Sequence, residues 1–67
     1  MDTAQVARFQ IVQMYDNDWP RDLREAGHPL YADWLELFIE DQDSITDNQA
    51  IKLRDFMASA TFERDGI

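Results

Sequence analysis

The sequence has no cysteine, only two glycines and two prolines, and six basic residues in 67. Without cysteine there are no disulfides, no thiolate zinc sites and no cysteine nucleophile. The absence also suits a reducing cytoplasm better than a disulfide-dense secreted module. Two glycines leave little material for a phosphate-cradling loop, and no glycine-rich motif is present. Apolar runs are two or three residues long, against the roughly 20 that span a bilayer. No positively charged start leads into an apolar core, so no signal peptide is expected. The expectation is a soluble, cytoplasmic protein with no membrane association.

Fourteen acids against six bases give a net charge of −8, and the acids are unevenly placed. Between Arg24 and Lys52 there is no lysine or arginine, while Glu25, Asp33, Glu36, Glu40, Asp41, Asp43 and Asp47 fall inside. Such a middle repels a polyanionic duplex, which argues against direct nucleic-acid binding. The length allows one domain, spanning residues 1–67. A chain this small buries only about 60% of its unfolded surface, so it often relies on a staple or a partner chain.

The most apolar stretch is Pro29–Glu40, reading Pro-Leu-Tyr-Ala-Asp-Trp-Leu-Glu-Leu-Phe-Ile-Glu. At about 100° per residue its apolar side chains cover more than half of a helix. Only Asp33, Glu36 and Glu40 share the polar strip. This exceeds the apolar stripe of an ordinary surface helix, so the segment is expected to be covered from two sides, centrally in a bundle or across a dimer.

The other elements follow from caps and periodicity. Asp2 or Thr3 can cap a first helix over residues 3–15, with Ala4, Ala7, Ile11, Met14 and Tyr15 on one face. Arg8 and Val12 edge that face, and Val6 and Phe9 lie away from it among glutamines. Asp18 is read as the cap of a short helix over residues 19–26, with Pro20 in its first turn and Trp19 and Leu23 aimed at the core. Gly27 fits a left-handed helix end, and Pro29 opens the next helix, over residues 29–41. Residues 42–45 form a loop. Thr46-Asp47-Asn48-Gln49 matches a capping box for a last helix over residues 47–62. There Ala50, Leu53, Phe56, Met57 and Ala60 share one face, with a second stripe of Ile51, Ala58 and Phe62. Residues 63–67 are expected to fray. The fold class is all-α: a compact bundle of three main helices and one short one, expected to be dimeric.

Catalysis finds little support. The only histidine, His28, sits beside a corner where a helix cap or a water-facing position is the ordinary outcome. Ser44 and Ser59 lack an activating pattern. Asp41-Gln42-Asp43 begins like a calcium loop, but the fifth, sixth and twelfth positions hold Ile45, Thr46 and Lys52. Only a weak cation site among Glu40, Asp41 and Asp43 is left, so no structural metal and no cofactor are expected. A helix-turn-helix is conceivable from residues 20–26 and 29–40, supported mainly by Arg8, Arg21 and Arg24. Its recognition helix would present Asp33, Glu36 and Glu40, the wrong chemistry for bases and phosphates.

Two features point to protein binding instead. Glu40, Asp41 and Asp43 crowd a helix C-terminus, where each negative charge costs about 0.3–1 kcal/mol, with no base nearby in sequence. Leu37, and Ile51 with Phe62, exceed what short neighbours can cover. The expected function is therefore a small acidic regulatory or inhibitory module, not an enzyme, docking on a basic surface of another protein. A nucleic-acid-binding protein is one such target, and accessory genes of phages and mobile elements one setting for such chains. The expected partner-binding residues are Asp33, Glu36, Leu37, Glu40, Asp41, Asp43, Ile51 and Phe62. The alternatives are a structural homodimerisation module or a helix-turn-helix regulator.

Overall fold

A computed structural model describes residues 2–59. Four helices follow one another: α1 (Thr3–Met14), α2 (Trp19–Glu25), α3 (Pro29–Glu40) and α4 (Asp47–Ala58). A single turn of 3-10 helix (Gln42–Ser44) joins the last two. Among the described residues there is no strand, and no helix is long and apolar enough to cross a membrane. The expected extension of the last helix through Phe62, and the fraying of residues 63–67, lie outside the described residues.

Local chemistry explains the boundaries. Asp2 accepts the Gln5 N–H at 2.8 Å and caps α1. At α2 the expected cap is corrected: Asp18 occupies the N-cap position but makes no side-chain cap bond. Asp16 supplies the oxygen instead, its Oδ1 accepting the N–H groups of Asp18 (2.9 Å) and Trp19 (3.1 Å). Asp18 has a helical backbone, so an acceptor reaching forward from two residues earlier fits better. At the other end Gly27 takes φ +90°. The His28 N–H then reaches the Leu23 carbonyl (2.8 Å) and the Gly27 N–H that of Arg24 (3.1 Å), the paired bonds of a Schellman ending. Thr46 and Gln49 exchange both bonds of the capping box at α4.

These ends fix the packing. Arg8, midway along α1, meets Asp47 at the start of α4, and Met14 lies beside Ala58 near their ends. The first and last helices therefore run side by side in the same direction, while α2 folds onto α3 at the Gly27 corner. Tyr31, early in α3, stacks on Phe56, late in α4, with ring centroids 4.4 Å apart. So α3 and α4 run antiparallel about the 3-10 turn. The radius of gyration is 11.1 Å, in the range of about 10–11 Å that a compact chain of this length gives.

The core is built from Ile11, Trp19, Leu23, Ala32, Leu35, Phe38, Ile45, Ala50, Leu53 and Met57. Met14, Tyr15, Tyr31, Trp34 and Phe56 pack against it half-buried. One expectation about α3 is corrected. Its buried stripe is Ala32, Leu35 and Phe38, whereas Leu30, Leu37 and Ile39 are exposed. Neighbours within the chain cover one side of α3 and its flanks. Covering both sides needs more helix than the described chain offers.

Candidate functional site

The outer face of α3 is set by helical spacing. Asp33, Glu36, Leu37 and Glu40 stand at i, i+3, i+4 and i+7, which a helix of 3.6 residues per turn places in one row. They line an open depression of about 410 Å³. Leu37, 45% exposed, is its apolar centre. The three carboxylates of this row do not share one fate. Arg24, at the end of α2, reaches back across the corner and donates through Nη2 to Asp33 Oδ1 (2.9 Å) and to Glu36 Oε1. Those carboxylates hold the guanidinium above its ordinary pKa, with the Glu36 hydrogen bond the larger cause. This corrects the picture of a fringe with no local cation: Asp33 and Glu36 are matched by Arg24, while no ion pair among the described residues reaches Glu40.

Beyond Glu40 the acidic run continues into the 3-10 turn. Asp41 is the C-cap of α3 and the N-cap of that turn, its Oδ1 accepting the Asp43 N–H at 3.0 Å. That bond gives Asp41 a structural role the sequence did not disclose. Asp43 is exposed, and among the described residues it has no ion pair. No group of three or more metal-binding side chains forms among the described residues. The weak cation site weighed for Glu40, Asp41 and Asp43 therefore has no geometric basis there.

The remaining expected contact residues separate from this face. Ile51 is half-buried on α4 rather than projecting as a free stripe, and Phe62 lies outside the described residues. His28 occupies the N-cap position of α3 and is half-buried rather than water-facing. It makes no cap bond, and its ring lies edge-on to Phe56 at 4.7 Å and tilted to Tyr31 at 6.4 Å. It joins a half-buried aromatic cluster in which Tyr31 also meets Trp34 at 5.4 Å and 87°.

The arginines weighed for nucleic-acid contact are all engaged within the chain. Arg8, with a side chain 15% exposed, donates to Asp47 (2.8 Å) and to the carbonyls of Gln42 (3.1 Å) and Ile45 (2.9 Å). Arg21 pairs with Asp18 (3.9 Å) and with buried Asp22 (3.2 Å). The Asp22 hydrogen bond is the larger reason that its pKa lies above the ordinary value. Arg54 pairs with Asp55 at 2.7 Å and bonds Gln10. Each arginine of the described region thus has an acidic partner in the chain.

No protein-family model, curated protein or solved structure matches the chain.

Proposed function

We propose that this chain is a small regulatory or inhibitory binding protein, not an enzyme, whose α3 face docks on a basic surface of another cytoplasmic protein. A nucleic-acid-binding protein is the target class that fits best, because its own anion site already matches a row of carboxylates. The observation that carries the reading is a charge imbalance. Every described arginine is engaged internally, whereas Glu40 and Asp43 have no ion pair among the described residues, and Glu40 lines the depression around exposed Leu37. Charges of this kind supply attraction and association rate, and a central apolar side chain supplies residual affinity.

The test is affinity capture from the source cell with the wild-type chain and with Glu36→Lys, Glu40→Lys and Asp43→Lys combined. The reading expects a basic partner that is lost on reversal while helicity is unchanged. Retention of the same partner by the reversed chain sinks it.

A homodimer is a second proposal, favoured by exposed Phe9, Val12, Leu30, Leu37 and Ile39. In its limiting form the protein is a structural dimerisation module and the acids only solvate it.

A further inference from the structure

We infer that two copies of this chain meet through the outer face of α1, centred on Phe9. The inference rests on the dimeric proposal above and gives it a surface. Phe9 is 62% exposed, the most exposed of the large apolar side chains among the described residues, and Val12 is exposed beside it. With Gln5, Arg8 and Gln42 they line an open depression of about 640 Å³.

Charge selects the occupant. Thr3 to Tyr15 contains no carboxylate, in a chain of net charge −8. Of the nearby acids, Asp2 caps Gln5 and Asp47 is bound to Arg8, while Asp43, next to Gln42 in the chain, lies outside the lining. Arg8 itself is held by Asp47 and two carbonyls, so the face is close to neutral. A second copy brings the same large negative charge, and like charges brought together oppose association. The acidic face of α3 carries that penalty. Exposed Leu37 is ringed by Asp33, Glu36 and Glu40, so a twofold contact there would gather six carboxylates. None of the side chains lining the α1 depression is a carboxylate.

Its pattern is also self-complementary. Gln5, Phe9 and Val12 follow at i, i+4 and i+7, with Phe9 near the middle of the 12-residue helix. An antiparallel α1 pair about a twofold axis sets each Phe9 beside the partner copy's Phe9 and Val12. Glutamine amides at the rim both donate and accept, so they can pair across the axis. A single helix about 18 Å long buries less than the roughly 800 Å² per partner of a standard interface. The dimer is therefore reversible and concentration-dependent.

Sedimentation equilibrium across low to high micromolar protein, with helicity followed by circular dichroism, tests the assignment. The wild-type chain is expected to dimerise. Phe9→Glu, and independently Val12→Glu, are expected to raise the dimer Kd by about thirtyfold or more with helicity retained, and Lys52→Gln, which makes the same one-unit change in net charge on exposed α4, is expected to leave it unchanged. A wild-type dimer that ignores both α1 substitutions overturns the surface while leaving the dimer proposal standing. A wild-type monomer throughout overturns both. A monomer that loses a captured protein on Phe9→Glu assigns the face to a different partner and likewise overturns the inference.

Discussion

At the α1–α4 corner and on the outer face of α3, a guanidinium meets carboxylates under opposite conditions. Arg8 is largely shielded, joins three separate segments and uses all its nitrogens on fixed acceptors. Arg24 lies on the surface and bridges two carboxylates of one helix, both half-exposed or more. Exposed pairs of this kind gain little over hydration, whereas removing a shielded guanidinium leaves acceptors without partners. The first arginine belongs to the fold. The second leaves a face that a partner's cation can enter.

The sharpest way to break this contrast lies within α3. Phe38→Ala removes a fully buried ring and is expected to cost about 3–5 kcal/mol, enough to unfold much of a domain this small. Leu37→Ala, one position earlier on the exposed side, is expected to stay within about 0.5 kcal/mol. Urea denaturation followed by circular dichroism measures both. Equal losses would mean that Leu37 is packed and the outer face is not free.

The next effect separates the arginines. Arg8→Ala is expected to lower stability by about 2 kcal/mol, and Arg8→Lys not to restore it, since an ammonium cannot span the same three acceptors. Arg24→Ala is expected to leave the denaturation midpoint unmoved. A destabilised Arg24→Ala chain would make the α2–α3 corner depend on that clamp.

The smallest effects concern caps. Thr46→Ala removes one half of a reciprocal capping box and is expected to cost about 1 kcal/mol. Asp16→Ala is expected to cost a similar amount, and Asp18→Ala only a few tenths. The reverse order at Asp16 and Asp18, read from thermal melts, would restore the cap expected from sequence.

What the sequence disclosed follows the range of each interaction. The Gly27–Pro29 corner, the Thr46–Gln49 box and the buried faces of Ala4, Ala7 and Ile11 on α1 and of Ala50, Leu53 and Met57 on α4 depend on residues a few positions apart, so spacing reveals them. Arg24 with Asp33 and Glu36, and Arg8 with Asp47, join residues separated by a turn or by most of the chain. Only the angle at Gly27 and the parallel setting of α1 and α4 bring them together. Periodicity also overstated the cover on α3, because a helical wheel counts apolar residues without knowing how many neighbours will pack on them. The neutral face of α1 was visible as Phe9 standing among glutamines. Its contrast with the acidic face emerged once each arginine had a partner.

Association kinetics of the captured partner, measured against salt for the wild-type chain and for Glu40→Lys with Asp43→Lys, tests the central claim most directly. The account predicts a wild-type association rate that falls steeply with ionic strength, and a reversed chain at least about tenfold slower at low salt with little salt dependence left. Equal rates and equal salt dependence for the two chains would contradict it.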